Sequence, residues 1–211
     1  MMYYIQTFIL HTLPITAVIF LCVFLCRRIW LKKVKKSYNI SKIREAAFML
    51  FMAYMSAVST ATVISTNFVQ GLTGSFGFLG NINLIPFRQF YEVYSASGVY
   101  GISFFIANIF GNIGLFVPVG FFIPLLWNVK IRRAVLFGCL ISCCIEILQL
   151  PLVRVTDIDD VILNTAGAAL GCLIYCVLRK FKGNFCNKFK IMYIANIKYI
   201  STMLVYFYYL R

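Results

Sequence analysis

Negative charge and histidine are scarce in this chain. Six of its 211 residues are Asp or Glu and one is His, against twenty Lys plus Arg. The lone histidine, His11, lies inside an apolar run and is read as a buried or interfacial polar group, so no Ser-His or Cys-His pairing is available for nucleophilic catalysis. Charged residues of both signs make up only 12% of the chain, beside 62% hydrophobic residues, which is too little polar surface to cover a soluble globule. Interruptions are scarce as well. Apolar runs continue for about 17 to 25 residues, the length that crosses a hydrocarbon core of roughly 30 Å at 1.5 Å per residue. The first run lacks a positive leading segment and a small-residue cleavage site, so it reads as a retained span and not a cleaved signal peptide.

Eight cysteines are present, but Cys22, Cys26, Cys139, Cys143, Cys144, Cys172 and Cys176 fall inside apolar runs, and Cys186 falls in a basic stretch. They read as small helix-packing residues. The i,i+4 pairs Cys22/Cys26 and Cys172/Cys176 have no His, Asp or Glu beside them, so no metal site is expected there, and no cofactor is expected anywhere.

The apolar windows predict an all-α integral membrane protein, a polytopic bundle of about five transmembrane helices at Ile5–Cys26, Ala46–Thr66, Phe104–Trp127, Ala134–Leu150 and Val161–Leu178. A sixth C-terminal segment is possible over Ile191–Arg211. Lys198 interrupts it, leaving about twelve apolar residues, short for a span, so an interfacial tail is the preferred reading. Three regions follow: residues 1–45 with the first span and a basic loop, 46–178 with the remaining spans, and a basic, Tyr-rich tail over 179–211. The loop 67–103, with Gly71, Gly74, Gly77 and Gly80 at a period of three, is expected to be irregular or partly re-entrant.

Sixteen Lys plus Arg fall in Arg27–Arg44, Asn128–Arg133 and Arg179–Lys190, and only Arg88 and Arg154 in the alternate loops. That asymmetry predicts cytoplasmic basic loops, an external N-terminus and a cytoplasmic C-terminal basic segment. It also explains the net charge of +14 by anionic headgroups, so nucleic acid is not an expected partner. Most acidic residues fall on the other side: Glu92, Asp157, Asp159 and Asp160 in loops, and Glu146 near the outer end of the fourth span.

Polar residues inside apolar spans are costly and mark function. Asn108 and Asn112 are i,i+4 on the third span, with Asn112 roughly 12 Å deep at 1.5 Å per residue; Pro118, Gly120 and Pro124 follow and predict a bent helix. Glu146, the only acid within a span, pairs at i,i+3 with Gln149 and should face the bundle. Arg154, Asp157, Asp160 and Asn164 are spaced to share one helical stripe, continued by Gly167 and Gly171 as a small-residue contact surface. A helix cap accounts for Asp157 or Asp160 alone, and interhelical hydrogen bonding for Asn112, but the set together suggests a shared site.

These residues resemble the VanZ-like membrane proteins, a family named for an accessory protein of glycopeptide (teicoplanin) resistance. The likeness covers roughly residues 48–178 in four motifs. They are Asn83-Leu84-Ile85-Pro86-Phe87, Asn112-x3-Phe116-x-Pro118-x-Gly120, Glu146-x2-Gln149, and Arg154-x2-Asp157-x2-Asp160-x3-Asn164-x2-Gly167-x3-Gly171. The resemblance implies a multi-pass protein of the bacterial cell envelope, linked in some members to tolerance of lipoglycopeptide antibiotics. The N-terminal span and the Tyr-rich tail depart from the family pattern.

Three functions stay open at this stage. The first is binding or alteration of a membrane lipid or lipid-linked envelope molecule at Asn83, Asn112, Glu146, Gln149, Arg154, Asp157, Asp160 and Asn164. There Arg suits phosphate, and the carboxylates and amides suit sugar or peptide groups. The second is an enzyme on such a substrate, with Glu146 or Asp160 as general base or Asp157, Asp159 and Asp160 holding a divalent cation. The third is a small transporter or flippase in which Glu146 titrates. The lack of an internal repeat weighs against it.

Overall fold

The computed structural model describes residues 2–34, 38–64, 82–88, 99–150, 156–190 and 192–193. Among these residues five long helices make the body: α1 (Met2–Val34), α2 (Lys42–Ser59), α3 (Val99–Leu126), α4 (Ile131–Gln149) and α5 (Ile158–Phe181), with a short α6 (Gly183–Asn187) after them. By length and composition three stretches among the described residues can cross a membrane: Thr12–Lys33, Ile106–Leu126 and Ile158–Phe181. Helices α2 and α4 are apolar over most of their length but each carries three charged residues, Lys42, Arg44 and Glu45 on one and Arg132, Arg133 and Glu146 on the other. The loop glycines at 71–80, Glu92, Arg154 and the tail from 194 onward lie outside the described residues, as does the side chain of His11.

Helix α1 runs about two turns past Cys26, because Arg27, Arg28, Lys32 and Lys33 are good helix formers and the last two sit at the favourable, negative end of the helix dipole. Helix α3 continues through both Pro118 and Pro124 as one element. Helix α5 begins at Ile158, not Val161, so Asp160 is inside its first turn.

The bundle is built around α3 and α5, which pack along most of their length. Gly120 of α3 faces the backbone of Ala168, and Gly167 and Gly171 of α5 face the carbonyls of Ile113 and Val117; a Cβ at any of the three would overlap those atoms. Close backbone approach of this kind is how membrane helices gain contact without a hydrophobic drive between them. The buried Cys172 thiol donates to Gly120 O at 3.2 Å inside this seam. Phe116, Val119, Ile123 and Tyr175 fill the core beside it, with Phe51 stacked on Phe122 at 5.4 Å.

One end of the bundle is basic. There Arg27 grips Glu45 through two hydrogen bonds, Nε to Oε2 at 3.0 Å and Nη2 to Oε1 at 2.5 Å, tying α1 to α2. Its guanidinium also lies 4.2 and 4.3 Å from the ring centres of Trp30 and Phe48. Arg44, only 1% exposed, donates to Glu45 at 3.2 Å and to the Leu126 carbonyl at 3.3 Å, occupying an orphan acceptor at the C-terminus of α3. Ser41 caps α2 by accepting from Arg44 N at 3.1 Å and donates its hydroxyl to Lys188 O at 2.6 Å, which fastens the segment after α6 to the same end. A two-residue antiparallel pairing, β1 (Tyr38–Asn39) with β4 (Met192–Tyr193), lies beside it.

Candidate functional site

The opposite end collects the acids and amides. Helix α2 gives way there to a π-helical turn, Thr60–Ile64. The hydroxyls of Ser56, Thr60 and Thr62 each donate back to the carbonyl four residues earlier at 2.8 Å, the side-chain competition that loosens a helix. Gln149, at the end of α4, donates to the Thr62 carbonyl at 2.7 Å and ties α4 to this turn.

Two two-residue strands, β2 (Ile82–Asn83) and β3 (Thr156–Asp157), pair in parallel immediately before α5. Asn83 Nδ2 donates to Asp157 Oδ1 at 3.1 Å, and Asn83 Oδ1 accepts from Ile85 N at 3.2 Å. Asp157 is the N-cap of α5, accepting from Asp159 N at 3.0 Å, while its own N–H donates to Glu146 Oε2 at 3.2 Å. One carboxylate on α4, 6% exposed, therefore holds the strand that launches α5. Asp157 is thus extended and does not continue a helical stripe with Asp160; the expectation of one stripe from Arg154 to Asn164 fails because the cap requires non-helical backbone.

After β2 the chain turns at Ile85-Pro86-Phe87-Arg88, closed by Arg88 N to Ile85 O at 3.3 Å. Proline in the second position and a φ of 65° at Phe87 are the marks of a type II turn, where glycine is usual in the third position. The Phe87 N–H donates to Asp159 Oδ1 at 2.7 Å, so a 1% exposed carboxylate in the first turn of α5 holds the unusual backbone. The turn presents Leu84, Ile85 and Phe87, 70%, 60% and 60% exposed, as an apolar tip.

Deeper between the helices, Asn112 of α3 donates to Asp160 Oδ1 at 2.6 Å and to Asn108 Oδ1 at 3.4 Å. Ser142, Glu146 and Gln149 share a face of α4, and Asn164 of α5 donates to Ser142 Oγ at 2.8 Å. Two acceptors in this region, Asn164 Oδ1 and Gln149 Oε1, are buried with no hydrogen-bond donor among the described residues. Buried acceptors are normally satisfied, so both atoms retain unused capacity to accept a hydrogen bond.

Asn83, Asn112, Glu146, Gln149, Asp157, Asp160 and Asn164 thus all lie at one end of the bundle, linked in two chains: Asn83–Asp157–Glu146 and Asn112–Asp160. Asp159, named from the sequence only as a possible cation ligand, belongs to the same end, as do Ser142 and the Thr62 carbonyl, which the sequence reading did not single out. Asp159 is displaced from Asp160 by one residue and so leaves its helical face, and its carboxylate serves the Pro86 turn. Among the described residues no group of three His, Cys, Asp or Glu is placed as ligands of one metal ion would be.

Apolar helices joined by backbone-close glycine contacts, with an acid-and-amide cluster at one end and a basic network at the other, define a helical membrane protein with a polar site at a bundle end. The chain belongs to the VanZ/LLP1 family, whose model matches residues 45–179. No curated protein and no solved structure matches it.

Proposed function

We propose that this chain is a five-span protein of the bacterial cell membrane, with α1 to α5 as the spans, the basic end cytoplasmic and the N-terminus outside. In this reading the acid-and-amide cluster lies at the outer leaflet. It receives the polar headgroup of a membrane lipid or lipid-linked envelope molecule, and so contributes to tolerance of glycopeptide and lipoglycopeptide antibiotics. The observation that carries it is the pair of buried, donor-seeking acceptors, Asn164 Oδ1 and Gln149 Oε1, in the same end as the Glu146 carboxylate. Such a set suits a headgroup rich in N–H or O–H, an ammonium or sugar hydroxyls. The apolar tip Leu84-Ile85-Pro86-Phe87 supports an interfacial position, since exposed apolar side chains beside a polar site are favourable in the headgroup region.

The test is teicoplanin susceptibility of cells carrying the protein, or its Glu146→Gln or Arg154→Ala variant, at matched membrane abundance. Tolerance that falls with both variants supports the reading; full tolerance in both ends it. Turnover of the bound lipid by purified protein would move the assignment to an enzyme using Glu146 or Asp160 as base, and lipid flux in proteoliposomes would move it to a flippase.

A further inference from the structure

Helices α2 and α4 each lean on α3, and the space between them stays open. A cavity of about 500 Å³ occupies it, lined by Phe51, Met52, Met55, Trp127, Phe137 and Ile141 among others. A second, of about 350 Å³, continues along the same two helices past Met55, Phe137 and Ile141 to Cys144 and Leu148. The lining side chains are apolar apart from Ser59, and Phe137 is half exposed, so the groove is open along one side. From Phe137 to Leu148 the two cavities together extend about 16 Å along α4 at 1.5 Å per residue. That is half of a hydrocarbon core of about 30 Å, the depth of one leaflet.

The groove's mouth is charged. Trp127 and Val129 line it at the basic end, and Lys130, Arg132 and Arg133 follow at once, with Lys130, Arg132 and Arg133 exposed. An apolar slot one leaflet deep, opening beside three exposed cations, is complementary to a single kind of molecule: one with a long acyl chain and an anionic head.

We propose that the groove between α2 and α4 is a binding site for an anionic phospholipid of the leaflet at the basic end. One acyl chain lies along Met55, Phe137 and Ile141, and the phosphate is held by Lys130, Arg132 and Arg133. The site is separate from the acid-and-amide cluster, and it rests on the five-span reading only in requiring α2 and α4 to be in the bilayer.

Purified protein in nanodiscs of mixed phosphatidylglycerol and phosphatidylcholine, released for native mass spectrometry, tests this. The wild type is expected to retain one phosphatidylglycerol in preference to phosphatidylcholine. Ile141→Trp, which fills the groove, should lose the retained lipid, whereas Leu136→Trp, on the exposed face of the same helix, should keep it. The double variant Arg132→Gln/Arg133→Gln should lose the headgroup preference by about tenfold, the loss for one charged hydrogen bond of about 1.4 kcal/mol. If Ile141→Trp fails to fold, Met55→Phe fills the same groove and is expected to give the same loss. Equal retention in wild type and a folded groove-filling variant, absence of preference in the wild type, or a dimer mass abolished by Ile141→Trp would each overturn the proposal. Thiol-reagent accessibility of a cysteine placed at Lys130 reports the five-span topology separately, so a topology failure and a lipid failure are read from different data.

Discussion

Asn83 and Asp157, 74 residues apart, meet through a 3.1 Å hydrogen bond across a two-residue parallel pairing, and the same aspartate caps α5. A single carboxylate thus closes a long loop and starts a helix. Asp157→Ala removes the cap, for about 0.5–2 kcal/mol, and leaves buried Asn83 without its acceptor, for about 1–3 kcal/mol more. Thermal unfolding in detergent should show a clear drop. Asp157→Asn keeps a capping oxygen and should lose less, and equal behaviour of the two variants would contradict the assigned double role.

The seam between α3 and α5 predicts a contrast among glycines. Gly120→Ala and Gly171→Ala push a methyl group into the opposing backbone and should destabilise by about 1–3 kcal/mol, the range for overpacking. Gly114 has open space at its Cβ position, so Gly114→Ala should be neutral or mildly stabilising through helix propensity. Melting temperatures of the three variants in one detergent decide it.

At the basic end, Arg44 should be hard to replace. Arg44→Met leaves the Leu126 carbonyl without its donor and Glu45 without one of its two guanidinium partners, and breaking such a buried contact costs about 3 kcal/mol. Arg44→Lys keeps the charge but not the fork that reaches carboxylate and carbonyl together, so it should recover less than half of the lost stability. Full recovery by lysine, measured by chemical denaturation, would reduce the contact to simple charge.

Gln149 holds the π turn from outside. Gln149→Leu removes the donor to Thr62 O, and amide hydrogen exchange over residues 58–64 should speed up while exchange in α5 stays unchanged. Unchanged exchange over 58–64 would mean that the turn keeps its shape without α4.

The long helices were legible because the bilayer imposes continuous apolar runs, and the inward direction of Glu146 followed from the cost of charge in lipid. The seam glycines Gly167 and Gly171 were legible from their four-residue spacing. The strand pairing of Asn83 with Asp157 was not, since two residues carry no periodicity and the partners are far apart in sequence. For the same reason Asp157 was assigned to a helical stripe that its capping backbone cannot join. Arg27 and Arg44 read as part of a basic cytoplasmic loop because a charge count ignores direction; only the fold shows Arg44 buried and aimed at the end of α3. No candidate site residue was placed on the second span, yet its π turn supplies the carbonyl that Gln149 engages.

The central claim is that the acid-and-amide end receives a headgroup rich in hydrogen-bond donors. Binding by purified protein to nanodiscs of phosphatidylethanolamine, of a glucosyl diacylglycerol, or of phosphatidylcholine, whose headgroup has no N–H or O–H, measures it most directly. The account predicts a preference for one of the first two over phosphatidylcholine, lost in Asn164→Leu with helical content intact. No preference in the wild type, or the same preference in folded Asn164→Leu, would contradict it.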